Sequence, residues 1–515
     1  MLALTGWAFA AFWTARLLLW GVPALLLDPA AKLNVSPWGL AAMGANHYPW
    51  LGLALAIAFG FCVRDRGPIL WIAAGLALCE RLGGPRGFQF EWIHAAAIGV
   101  FALGVHRSAM GVWPLALGVL LPQILLRLAI FRFRVGWEHA ALLGLAGALL
   151  IGIVAYRRPK WETAHWRPWP GFAASALLLL ASLVGSQWIQ SRDAAARQAA
   201  LASLPKSDPA APYLFDYFHK GVSFTAEGIS YDAPQARTML AKLPAFGVNA
   251  IALVPYGFSP RGETKIRIPG RGDTWESEDG MEILTSDAHR MGLRVMLKPH
   301  VWRLQGRTPI PDAEVRQWLA EYRPFIEHYA QFAVRVHADI FCIGTELRGL
   351  TQHESEWRDI ISRVRKIYKG PIVYAANHGE EFETIRFWDA LDYIGIDNYY
   401  PLDDDYSAAT LLGKIEAIEQ KFRKPVLFTE AGFGAHRHSH REPWEDETAK
   451  PLDLAEQARS YEGLLNAVYK KPWFRGVYWW KVGTNGYGGP DNNSMTPWRK
   501  PAMDVVKRFY LLPAP

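Results

Sequence analysis

Residues 1–190 contain apolar stretches of the length that crosses a lipid bilayer, and this constrains the chain more than any other feature. They run near 5–27, 48–63, 68–83, 92–106, 110–131, 138–156 and 170–189. Each is apolar all round rather than along one face, which points to a membrane bundle and away from surface helices of a soluble core. The same 190 residues carry 14 Lys and Arg against 6 Asp and Glu, whereas the rest of the chain carries 41 against 42. The formal net charge of +7 therefore belongs to the first part. It sits in short loops between apolar stretches, so nucleic-acid binding loses its main support and no nucleic-acid partner is expected.

Lys and Arg in short loops set membrane orientation. Arg157, Arg158, Lys160 and Arg167 precede the last stretch, and Arg64 with Arg66 agrees by parity, while Arg132 and Arg134 oppose. The balance puts these loops in the cytoplasm and everything after the last stretch on the periplasmic or extracytoplasmic side. The expectation is a multi-pass protein of an inner or plasma membrane, with the lipid bilayer as partner. About seven spans would occupy 1–190, a polar, Ala- and Pro-rich connector 191–218, and a second domain 219–515. Cys62, Cys79 and Cys342 are too few for a disulfide scaffold.

From residue 220 the pattern changes. Short apolar runs of strand character alternate with longer stretches of helical periodicity. The runs are GVSF (221–224), NAIALVPY (249–256), RVMLKPHV (294–301), IFCIGTE (340–346), PIVYAAN (371–377), YIGIDNYY (393–400), PVLFTEAG (425–432) and FRGVYWWKV (474–482). Eight strands alternating with helices predict an α/β fold, the (β/α)8 TIM barrel, following the transmembrane bundle. A doubly wound sheet would carry a Gly-rich turn after its first strand, and GVSFTAEG has none.

A barrel of this kind does its chemistry at the C-terminal ends of its strands. Those ends carry Glu227, Tyr256, Lys298, His300, Trp302, Glu346, Asn377, Asp397, Asn398, Tyr399, Tyr400, Glu430, Trp479, Trp480 and Lys481. Glu346 ends the fourth strand and Glu430 the seventh, on roughly opposite sides of the mouth. Two carboxyls facing a gap are what glycosidic bond cleavage needs, one protonated to donate to the leaving oxygen and one ionised to attack the anomeric carbon. Metal ligation would want more His or Asp at fixed spacing, so neither a metal nor a cofactor is expected. His436, His438 and His440 read as a solvated loop bordering the substrate.

With these residues in place, the second half resembles the clan A retaining glycoside hydrolases, and most closely family 113, whose known members are β-mannanases. SDAHRMGLRVMLKPHVW, FCIGTELRG, YIGIDNYYPL, PVLFTEAGFG and NSMTPWRKPA carry the resemblance, which spans 220–510 and leaves the first 190 residues unrecognised. It implies that Glu346 is the acid/base and Glu430 the nucleophile. It also implies that Tyr399 or Tyr400 bonds the nucleophile, and that Trp479 or Trp480 forms an apolar platform under the sugar. His300, Lys298 and Asn377 would bind hydroxyls. Thr345 stands where many clan members have Asn, a feature of family 113, and Trp302 replaces a smaller or acidic residue. The expected activity is a membrane-anchored retaining glycosidase acting on a β-linked, mannan-like carbohydrate. A transglycosidase remodelling an exported polysaccharide, or a non-catalytic binding or export component working with polysaccharide synthesis or export machinery, are the alternatives.

Overall fold

The computed structural model describes residues 194–205, 212–227, 229–259, 264–268, 275–303, 312–446 and 450–513. The seven expected spans and their loops lie outside the described residues. Among the described residues no helix is long and apolar enough to cross a membrane.

Eight parallel strands close a barrel. In chain order they are β1 (His219–Thr225), β2 (Ala250–Leu253), β4 (Arg294–Leu297), β6 (Ile340–Thr345), β7 (Ile372–Asn377), β8 (Tyr393–Asn398), β9 (Val426–Ala431) and β10 (Phe474–Gly483), and β10 closes on β1. Helices α1 (Pro234–Leu240), α2 (Glu278–Arg290), α3 (Asp312–Val336), α4 (Glu354–Ile367), α5 (Glu380–Thr384), α6 (Ala409–Phe422), α7 (Leu454–Val468) and α8 (Pro501–Tyr510) fall between and after the strands. The expected barrel is present.

Two predicted strands are each split. Pro255 and Pro299 have no N–H to give the ladder, so β2 stops at Leu253 and β4 at Leu297. Past the prolines the chains pair again as β3 (Tyr256–Ser259) and β5 (His300–Arg303), in the same relative register as below. This two-stranded ribbon stands above the barrel mouth.

Helix ends follow local chemistry. Ser277 caps α2 by accepting the Gly280 N–H at 3.2 Å, and Asp453 caps α7 by accepting the Glu456 N–H at 2.9 Å. Helix α4 buries Trp357, Ile360, Ile361 and Val364, spaced three and four apart on one stripe.

Strand alternation divides the core in two. Ala250, Ala252, Met296, Ile340, Cys342, Val373, Ala375, Tyr393, Leu427 and Tyr478 fill the barrel interior, and a larger cluster lies between strands and helices. The last seven residues of the predicted connector complete this core. Tyr217 packs under the interior cluster, the Phe215 carbonyl accepts the Tyr393 hydroxyl at 2.8 Å, and Tyr213 stacks on His337 at 4.8 Å. Residues 212–218 thus form the barrel floor. Residues 194–202 are helical, and Arg197 makes a buried 2.9 Å ion pair with Asp232 in the loop after β1.

Candidate active site

Above the apolar interior the barrel turns polar. Lys298, fully enclosed after β4, donates to both oxygens of Asp397 at 3.0 and 3.1 Å and to Glu430. Thr429 donates to Asp397 at 2.7 Å, and the Tyr399 hydroxyl donates to the other Glu430 oxygen at 2.8 Å. Glu430 thus accepts donors from two sides, which fixes the plane of its carboxylate. Burial lowers the Lys298 pKa, but the Asp397 and Glu430 carboxylates more than offset this and the net shift is upward. Burial, then the Glu430 charge, raises Asp397.

The pairing register explains how Thr429 and Glu430 both reach this cluster. Ile396 pairs with Phe428 but Asp397 pairs with Glu430, so β9 carries one extra residue just before the glutamate. Such a bulge re-aims a side chain. Strand β6 has its own between Cys342 and Thr345, immediately below Glu346.

Glu346 is half-buried and adopts a positive φ of 49°, uncommon for a residue with a side chain. Burial, and next the Glu430 charge, push its pKa up to about 7. The turn holding it is latched from β7. Tyr374 accepts the Leu347 N–H at 3.0 Å and donates to buried Glu381 at 2.7 Å, and Glu381 also accepts the Asn377 N–H at 2.8 Å. The Tyr374 ring fills the space beside Gly344 that any side chain there would need. Burial carries Glu381 to about 7 as well. A carboxyl poised to hold a proton near neutrality, facing one fixed by a cation and a phenol, suits acid-assisted displacement at a sugar.

The Glycoside Hydrolase Family 113 model matches residues 222–496, more than half of the chain. The chain belongs to glycoside hydrolase family 113. It is a glycoside hydrolase, and the non-catalytic alternative falls away. The family 113 β-mannanase AaManA from Alicyclobacillus acidocaldarius, solved in complex with ManMIm, is 31% identical with a TM-score of 0.52. That match covers 57% of this chain and 98% of AaManA. A structure titled family 113 β-1,4-mannanase is 26% identical with the same TM-score, over 57% of this chain and 99% of its own. No curated protein matches the chain.

Within the family 113 barrel, the candidate residues separate. Glu346, Glu430 and Tyr399 come together at the mouth. Tyr400 does not: it lies past the end of β8, and its hydroxyl donates to Glu383 of α5 at 2.6 Å. Asn398 is buried at the end of β8, and neither polar atom of its amide has a hydrogen-bond partner among the described residues. Lys298 is too enclosed to meet a sugar and serves the carboxylates. Trp479 is fully buried and stacks on Tyr461 of α7 at 4.1 Å, in the helix layer. Trp480 is half-buried, with the Lys481 ammonium 5.3 Å from its ring centre, and Lys481 pairs with Glu227 at 2.7 Å. Asn377 is half-buried and its Oδ1 accepts from Arg348. Tyr256 and His300 are half-buried partners on the ribbon, and Trp302 is exposed there.

The histidine loop is a structural element. His436 and His440 are buried, and His440 pairs with Glu456, whose other oxygen accepts from Tyr406. Among the described residues no group of three His, Cys, Asp or Glu is arranged to hold a metal. Tyr374, Glu381 and Thr429 escaped the sequence reading, because only the fold brings them beside the carboxyls. Trp444 did too. Its ring stacks on His378 at 5.6 Å, on the β7–β9 side of the mouth.

Proposed function

We propose that this family 113 enzyme is a membrane-anchored retaining glycosidase that cleaves a β-linked, mannan-like polysaccharide or oligosaccharide outside the cytoplasm. The observation that carries the catalytic part is the unequal pair: Glu346 with its pKa raised to about 7, and Glu430 held between Lys298 and Tyr399. In the first step Glu346 gives its proton to the glycosidic oxygen as that bond breaks, and a Glu430 oxygen bonds the anomeric carbon. In the second, Glu346 takes a proton from the acceptor, whose oxygen displaces Glu430. Water as acceptor gives hydrolysis, and a sugar hydroxyl gives transglycosylation. Trp480 lies under the ring being cleaved. The mannan reading rests on the β-mannanase relatives.

The anchoring reading rests on the apolar stretches and loop charges of residues 1–190. It places the barrel where an exported polysaccharide, or the machinery that makes or exports it, is within reach.

The test is the full chain in detergent or lipid, incubated with β-mannan, β-glucans and their oligosaccharides. NMR of the fresh product should show the anomeric configuration of the substrate. An inverted product defeats the two-step mechanism, and inactivity toward every glycan by folded protein defeats the substrate reading. A reporter fused after Pro515 should be inactive if it requires the cytoplasm.

A further inference from the structure

Glu430 shares the Lys298 ammonium with a second carboxylate that the proposed reaction does not use. An ammonium has three N–H donors. The three acceptors around Lys298 are both Asp397 oxygens, at 3.0 and 3.1 Å, and one oxygen of Glu430. Thr429 donates to Asp397 as well, at 2.7 Å. Lys298 and Asp397 have no exposed surface, so no sugar reaches either. A pair of Lys298 with Glu430 would already be neutral. Adding a second buried carboxylate to it is costly, and burial with the Glu430 charge indeed pushes Asp397 upward. Asp397 therefore needs a reason of its own.

The movement of charge during the reaction supplies one. In the first step a Glu430 lone pair bonds the anomeric carbon, the bond to the leaving oxygen breaks, and that oxygen takes the Glu346 proton. Glu430 becomes a neutral ester, and the negative charge passes to Glu346. Glu346 stands after β6 and makes no bond to Lys298 among the described residues, since the ammonium gives its donors to Asp397 and Glu430. With Asp397 in place, Lys298 loses one anionic partner and keeps the other. Without Asp397 it would lose its only one, in a place closed to water, where an unpaired charge is most costly. Ester formation also removes the neighbouring Glu430 charge, so the Asp397 carboxylate is easier to sustain at the step that depends on it.

We propose that Asp397 is a positioning residue that keeps the Lys298 ammonium paired while Glu430 carries the sugar. It touches no substrate and acts through Lys298 alone. Its effect falls on formation of the covalent intermediate and leaves substrate binding little changed. The reaction part of this rests on the retaining glycosidase reading, whereas the charge balance among the three side chains does not.

Glu430→Gln removes the same charge that ester formation removes, and needs no turnover. Thermal midpoints of the barrel are measured in the full chain for Glu430→Gln, Asp397→Asn, the two together, and the two with Lys298→Met added. The double variant should fall roughly 10 °C further than the sum of the singles, and Lys298→Met should return much of that loss. Additive midpoints, or a triple variant no more stable than the double, overturn the charge balance. A double variant that does not fold supports it if the triple folds, and counts against it if neither does. On 2,4-dinitrophenyl β-mannoside, whose leaving group needs no proton, kcat/KM reports formation of the intermediate. Asp397→Asn should lower it about a hundredfold, and Asp397→Asn with Lys298→Met should regain about tenfold. A merely structural Asp397 would make the double variant slower than the single, and that result sinks the proposal. Coupled midpoints with no turnover by wild type would leave the charge balance standing and defeat the mannoside reading. Turnover with retention but additive midpoints would do the reverse.

Discussion

The two sides of the barrel mouth hold a carboxyl in opposite ways. On the β8–β9 side, Glu430 is gripped through its own oxygens by Lys298 and Tyr399, with Asp397 and Thr429 behind. On the β6–β7 side the grip is on the backbone: Tyr374 and Glu381 fix the turn after Glu346. Direct bonds from a cation and a phenol hold the carboxylate oxygens themselves in place. Holding only the backbone leaves the carboxyl desolvated, and burial together with a neighbouring charge then favours the protonated form. The fold gives the same side chain two environments by choosing which part of the residue to hold, and the proposed roles of nucleophile and acid rest on that difference.

Breaking the charged side should have the largest effect. Glu430→Ala should reduce kcat/KM by more than about a thousandfold, and azide should restore turnover of an activated aryl glycoside by giving a glycosyl azide of inverted configuration. Rescue without inversion would place the nucleophile elsewhere. Lys298→Met should follow, because it leaves Asp397 and Glu430 facing each other without their shared cation. Loss of one partner of a buried pair costs about 3–5 kcal/mol, to be read as a lower thermal midpoint of the barrel. A midpoint equal to wild type would mean the triad is not closed in solution.

The backbone-held side should yield smaller changes. Tyr374→Phe removes the bond to Leu347 and one from Glu381, worth about 1–3 kcal/mol where a buried group is left unsatisfied. It should lower kcat with little change in KM. A change confined to KM would show that Tyr374 serves binding instead. In the proposed mechanism Glu346 donates a proton, so activity should fall as pH rises through about 7. Part of that elevation comes from the Glu381 charge, after burial and Glu430. Glu381→Gln should therefore move the alkaline limb of kcat/KM to lower pH by under about one unit. A limb that stays or rises would uncouple the two glutamates.

Much of this was legible in advance. The strand runs, their order and the glutamates that end β6 and β9 follow from alternating apolar runs and the rule that barrel chemistry sits at strand ends. What the sequence left open was which of two adjacent residues faces the mouth. Alternation predicts facing only in an unbroken ladder, and the pairing shifts in β6, β9 and along β10 around Trp479. Nothing local in FRGVYWWKV says which of two adjacent tryptophans enters the helix layer. The same limit applied to Tyr399 and Tyr400, which lie just beyond the last paired residue of β8. Pro255 and Pro299 were visible as ladder breakers, but the resumption of pairing beyond them needed both chains side by side. The Tyr374–Glu381 latch was out of reach, since it depends on where α5 turns back over β7.

The floor under the barrel has a practical meaning for anyone who cuts this protein. Residues 212–218 look like a tether, yet they carry Tyr213, Phe215 and Tyr217 into contacts with His337, Tyr393 and the interior cluster. Severing the chain at the first strand would leave the Tyr393 hydroxyl without its acceptor and open the lower end of the β-barrel to water. The Arg197–Asp232 pair extends the same dependence back to the helix over 194–202. An excised catalytic fragment should therefore begin ahead of that helix, about 25 residues before the strand pattern suggests.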